Sequence, residues 1–298
     1  MKKRALVGRA HIGVLTWLRD LLVPIHAPAG CSAGNLIGAC RSRLPVVCVL
    51  LLAGIGVHEA GQPLETETAR LLPRGAFKVE STFEFQTSPD GQEKSLPLAL
   101  EYGLLDRLEL LVEPVFYTAI SPDTGRSATG MGDLEATLTC LFLRESSARP
   151  AFAIAMEVKI PTAHDNLIGT GKTDYTPFII ASKQLGRFDT HVNLGYTFVG
   201  QPPGPKLKNT IDYAVAGEYR FNEKWVVVGE VTGNSSSLTG AETSDGNESN
   251  VIPEASGGER IALVGARYYV RPEMFFSLGA SYDNSRALLL RPGFTFRF

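Results

Sequence analysis

From Ala76 onward the residue types alternate with a period of two. The stretch "GAFKVESTFEFQ" sets Phe77, Val79, Phe83 and Phe85 against Lys78, Glu80, Thr82, Glu84 and Gln86. That period places successive side chains on opposite faces of a strand, which no helix can do. The pattern recurs along the chain. Leu98, Leu100 and Tyr102 flank Glu101, and Leu108, Leu110 and Val112 alternate with Arg107, Glu109 and Glu113. Ile154, Met156 and Val158 oppose Glu157 and Lys159, and Val192, Leu194 and Tyr196 oppose His191 and Asn193. Tyr219 and Phe221 oppose Glu218 and Arg220, and Trp225, Val227 and Val231 oppose Glu230. The closing "RALLLRPGFTFRF" places Leu288, Leu290, Pro292, Phe294, Phe296 and Phe298 opposite Arg291 and Arg297.

Counted this way, the chain holds about twelve strands of roughly ten residues, the length that spans a bilayer at a tilt. The connections alternate in length. "TSPDGQEK", "TAISPDTGRSATGMG" and "TAHDNLIGTG" alternate with "LD", "RESSAR" and "LGR", and the longest is "SSSLTGAETSDGNESNVIPEASGG". Long loops at one end and short turns at the other are the habit of outer-membrane barrels. The last hairpin, "DNS", is short where a long loop is expected.

A soluble sandwich also has one apolar face. Here the polar face carries charges in mid-strand, and the aromatics on the apolar face collect near strand ends. Phe77, Tyr102, Phe142, Phe152, Phe188, Phe221, Trp225 and Phe298 mark one level and Phe85, Phe116, Tyr175 and Phe198 the other. These are the expected interfacial girdles. The expected fold is all-β, a transmembrane antiparallel barrel of about twelve strands with both termini periplasmic, closed because lipid offers no partner to a free edge. The residues expected to line its lumen are Glu80, Glu84, Glu101, Arg107, Glu109, Glu113, Glu157, Lys159, His191, Glu218, Arg220, Glu230 and Arg291. On the lipid side each charge would cost about 2–4 kcal/mol at the midplane. Pro97, Pro114 and Pro177 fall near expected strand ends; Pro292 does not, and a bulge is expected there.

Upstream, Arg41 and Arg43 precede the apolar run Leu44–Val57, with Ala60 soon after, as in a secretory signal. Residues 1–60 are read as a presequence with its apolar core at 44–57, 61–75 as a short periplasmic lead-in, and 76–298 as the barrel. The polar interruptions before residue 36 suggest a translation start near Leu36. Without 1–60 the chain has 22 basic and 29 acidic residues, a net of −7, and Cys140 is its one cysteine. No basic face invites nucleic acid.

Sharper motifs fail on inspection. "IGTGKTD" (168–174) has Asn166 where a phosphate loop needs its first glycine, and a strand follows it. "SPDTG" (121–125) and "SDGNESN" (244–250) read as solvated loops rather than cation sites. His191 and Asn193 share a face, but no serine lies two residues from His191 on that strand and no Gly-x-Ser-x-Gly occurs, so no catalytic, metal or cofactor site is assigned.

The succession "EYGLLDRLELLVEPVFY", "GMGDLEATLTCLFL", "AFAIAMEVKIPTA", "IGTGKTDYTPFIIASKQLG" and "HVNLGYTFVG" resembles the outer-membrane transporter family named for the meta-pathway of phenol degradation, over most of 77–298. The resemblance implies a Gram-negative outer-membrane barrel that passes small, hydrophobic or aromatic solutes and is not an enzyme. Outer-membrane lipid and the barrel assembly machinery are the expected partners, with terminal Phe298 as the assembly signal. A lipid-acting barrel enzyme and a closed structural barrel are the alternatives. Acids outnumber bases on the expected lumen face, which would favour cations or neutral solutes.

Overall fold

The computed structural model describes residues 64–203, 206–237 and 258–298. The presequence and start site expected within 1–60, and most of the longest loop with "SDGNESN", lie outside the described residues. Among the described residues there is no helix, and fifteen strand segments form one sheet. They are β1 (Phe77–Thr82), β2 (Glu84–Ser88), β3 (Gly91–Leu105), β4 (Leu108–Glu113), β5 (Val115–Pro122), β6 (Ala128–Gly130), β7 (Leu134–Leu143), β8 (Ala151–Ile160) and β9 (Asp174–Leu185). Then follow β10 (Phe188–Thr197), β11 (Thr210–Arg220), β12 (Trp225–Asn234), β13 (Arg260–Arg271), β14 (Met274–Asp283) and β15 (Leu288–Arg297).

Every pairing is antiparallel, β1 and β2 both pair with β3, β3 with β4 and β5, and β4 with β7, and β15 closes the ring on β1 and β2, from Arg297↔Lys78 to Leu288↔Thr87. The pairs β1/β2, β4/β5 and β6/β7 are each one stave broken at Phe83, Pro114 and 131–133. The fifteen segments therefore make a closed barrel of twelve staves.

The breaks follow from backbone chemistry. Pro114 has no N–H to give its ladder, so the third stave divides there. Pro177 pairs with Met156 of β8, while the β9–β10 ladder ends at Gly195↔Phe178 and resumes only as the bridge Tyr175↔Phe198. Two expectations about proline change. Pro97 lies well inside β3, because "TSPDGQEK" is not a loop. The strands run on to a two-residue turn at 89–90, with Gly91 at φ +143°. Nor does β15 bulge at Pro292, which pairs with Leu278 in unbroken register. The irregularity sits on the facing stave: Phe83 N–H donates to Pro292 O at 2.9 Å, Pro292 has no N–H to return, and the stave breaks at Phe83.

The barrel is inside out relative to a water-soluble protein. Val264 and Leu278, in the middle of β13 and β14, are 66% and 59% exposed, whereas Lys78, Glu101 and Glu230 are each 3% exposed. Only a hydrocarbon surround makes the outer face favourable. The short turns at 106–107, 186–187, 221–224 and 272–273 lie at one end with 144–150 and with Phe77 and Phe298; this is the turn end. The opposite, loop end carries 123–127, 161–173, 198–203 with 206–209, and 284–287. At the turn end Phe298 and Phe77 exchange backbone hydrogen bonds of 2.7 and 3.4 Å, and their rings stack at 6.0 Å.

Candidate functional site: an occupied bore

A barrel of twelve staves is too wide for its own side chains to fill. Here the space is entered by the chain itself. Residues 64–73, part of the stretch expected as a lead-in outside the barrel, lie against the inner wall and touch staves all round the ring. Leu64 lies at mid-height, beside Glu230 of β12 and Arg291 of β15. The segment then descends past β10 and β9 to β3 and β4 at the turn end.

Its attachments are mainly polar. The Glu230 carboxylate accepts the N–H groups of Leu64, Glu65 and Thr66 and the Thr66 hydroxyl, the last two at 3.0 and 2.9 Å. Asn193 accepts the Glu67 N–H at 2.8 Å and donates to the Glu67 carbonyl at 3.0 Å. Ser182 Oγ accepts the Ala69 N–H at 2.8 Å, and Glu109 accepts the Leu72 N–H. Arg291 pairs with Glu65 and donates to the Leu64 carbonyl at 3.3 Å. A buried carboxylate without donors would be costly, so Glu230 and Glu109 are accounted for by the backbone they hold.

Arg70 ties the segment to the turn end, reaching Asp189 and Glu145 at 2.6 Å each. Glu145 lies in the 144–150 turn. Burial raises its pKa, but the Gln184 N–H, Arg70 and Lys183 outweigh that and hold it below the ordinary value. Apolar contacts are local: Ala69 and Leu71 pack on Leu141, Ala151, Ala153, Ala155 and Ile180, and Leu64 packs on Val226, Val228, Tyr269 and Phe275. The segment leaves through a turn in which the Pro73 carbonyl accepts the Ala76 N–H at 3.0 Å, with Gly75 at φ +82°. The wall opposite is Gly103, because a side chain there would overlap the carbonyls of Leu72 and Pro73.

The residues expected in the lumen fall as follows. Glu101 pairs with Lys78, Glu80 accepts from the Thr295 hydroxyl at 3.0 Å, and Glu84 accepts from Ser95 at 2.6 Å and meets Arg291 at 3.2 Å. Lys159 pairs with Asp174, and Glu113 and Glu157 share the inward parity. Glu218 pairs with Arg267, whose guanidinium lies over the Phe275 ring at 5.6 Å. Arg220 sits at the turn-end rim, 6.0 Å over Tyr269. Arg107 is the exception: it occupies the two-residue turn between β3 and β4 and is exposed, because β3 ends at Leu105.

His191 has the partner that spacing along its own strand could not reveal. Ser182 is its direct neighbour across the β9–β10 ladder, with Oγ 2.9 Å from Nδ1. Asp189 and Glu218 lie 3.7 and 3.9 Å from Nε2. Sequence reasoning also passed over Arg267, which its mid-strand charge in β13 could have exposed, and Arg70, which no local signal could: it precedes the alternating region, and its partners are 75 and 119 residues away.

The closed sheet has known counterparts. The KdgM porin, solved in complex with disordered oligogalacturonate, is 10% identical, with a TM-score of 0.50 over 74% of this chain and 99% of that one. The NanC porin is 11% identical, with a TM-score of 0.50 over 73% of this chain and 98% of its own. At such identities the likeness is one of fold, that of outer-membrane porins. No curated protein matches the sequence. Residues 60–298 match the family described as "MetA-pathway of phenol degradation", and the chain belongs to that family.

Proposed function

We propose that the protein is a channel of the Gram-negative outer membrane for small hydrophobic or aromatic solutes, kept shut at rest by residues 64–73. The observation that carries this reading is how the bore is filled. A structural barrel would be stabilised by a continuous packed core, whereas here a single strand of chain hangs on hydrogen bonds to wall side chains and can leave without unpairing a stave. The apolar inner strips beneath Leu64, Ala69 and Leu71 would then face the passing solute. Purified protein in liposomes should speed phenol entry over protein-free liposomes. Phenol entry no faster than in protein-free liposomes, with a small sugar passing freely, would refute the solute class.

The contact between Ser182 and His191 is the one observation that favours a lipid-acting enzyme. It faces the bore under Ala69 rather than the lipid, which argues against that role. A fluorophosphonate probe should leave Ser182 unlabelled.

Outer-membrane lipid is the natural surround of the apolar belt, and the periplasm is the side assigned to the turn end. The exposed, seam-closing Phe298 suits recognition by barrel assembly machinery. Deleting it should lower insertion while export continues; normal insertion of the shortened chain would remove that role.

A further inference from the structure

The loop between β8 and β9 does not stand out into solvent. It folds inward at the loop end and crosses β7 to reach β5 and β6. Ile168 is 2% exposed and packs on Ile120 and Ala128, with Ala163 and Leu167 against the same cluster. Ile120 pairs across the ladder with buried Glu93, which places it on the inner face. The Asp133 carboxylate, in the gap between β6 and β7, accepts the Ala163 N–H at 3.1 Å. Gly169 lies so close to that carboxylate that a side chain there would overlap it.

The finger is shaped from within. Asp165 accepts the Leu167 N–H through its side chain at 2.8 Å, and the Ile168 and Gly169 N–H groups through its carbonyl at 2.9 and 3.0 Å. It is held from outside by Arg126, in the neighbouring 123–127 loop. The guanidinium grips both oxygens of Asp165 at 2.6 and 2.7 Å and reaches Asn166 at 2.9 Å. Those bonds hold the Asp165 carboxyl down at about 2. Gly171, at φ +67°, makes the left-handed turn that leads into β9.

We propose that residues 161–173 form a second, outer gate. Ile168 seated on Ile120 and Ala128 is the apolar contact that shuts this gate at the loop end, and the Arg126–Asp165 pair is its latch. This rests on the channel reading above and adds a barrier at the end opposite the segment 64–73. The finger stands on a charged wall: Glu93 faces Ile120 across the ladder, and Glu135 of β7, Lys159 of β8 and Asp174 of β9 follow one another around the ring, with Lys159 paired to Asp174. A hydrated ion must shed water to pass between the apolar faces of finger and wall, whereas a neutral apolar solute need not. The latch is solvent-exposed, so salt weakens it, while acid above pH 3 leaves it intact.

The test is the reactivity of a cysteine placed under the finger. The full chain carrying Cys31→Ser, Cys40→Ser, Cys48→Ser, Cys140→Ala and Ile120→Cys, so that position 120 holds its one thiol, is labelled with a soluble maleimide, alone and with Arg126→Ala or Ile168→Gly added. Heat-modifiable gel migration checks that each barrel is folded, and Ile168→Leu serves as the conservative control. Labelling should be slow in the parent and in Ile168→Leu, and severalfold faster in the other two. Added salt should speed it in the parent but not in Arg126→Ala. Equal rates in all folded variants would overturn the gate. Were the channel reading wrong instead, the labelling difference would persist while no variant passed phenol.

Discussion

At the scale of single residues, the account turns on Glu230. Its buried carboxylate gathers three backbone N–H groups and a hydroxyl from the start of the bore segment. Glu230→Gln keeps the shape but loses the charge, and puts an NH₂ where an acceptor stood. Hydrogen bonds to charged groups contribute about 1.5–3 kcal/mol and neutral ones about 0.5–1.5 kcal/mol, so the segment should loosen by about 1–3 kcal/mol. Channel recordings should show open time rising by about fivefold to a hundredfold; unchanged gating would remove Glu230 as an anchor. That Glu230 faces inward was readable from the parity of its strand. Its partners were not, because Thr66 lies 164 residues away and precedes the alternating pattern. His191 shows the same limit: Ser182 faces it only once the register of β9 on β10 is known.

At the scale of elements, the segment 64–73 and the 144–150 turn are coupled through Arg70 and Glu145. Glu145 has a folded pKa below the ordinary 4.5, so its contribution is fully present above that value and fades as pH falls through the lower folded pKa. The restraint that Glu145 places on opening should therefore be steady from neutrality to about pH 4.5 and weaken below it. Glu145→Gln should abolish this acid response and open more often at neutral pH. An identical acid response in that variant would assign the effect elsewhere. Strand existence was legible because lipid on one side and charge on the other enforce strict alternation. Stave breaks were legible only in part. Proline marks where an N–H is missing, but which stave yields depends on the partner's register, as Phe83 opposite Pro292 illustrates. The 89–90 turn was hidden because Gln92 and Lys94 belong to a polar rim where alternation carries no apolar signal.

At the scale of the molecule, a closed twelve-stave barrel with an apolar outside is a membrane pore in outline, and the proposal is that the segment 64–73 shuts it. The barrel was legible because every strand repeats the same constraint. The occupant of the bore was not, because ten residues without period carry no signature of where they lie. Single-channel conductance of the full chain against a chain lacking 64–73 tests the central claim most directly, in planar bilayers with both barrels shown folded by heat-modifiable migration. The account predicts brief, rare openings for the full chain and a large, steady conductance for the shortened one. Equal conductance in the two, or none in either, would contradict it.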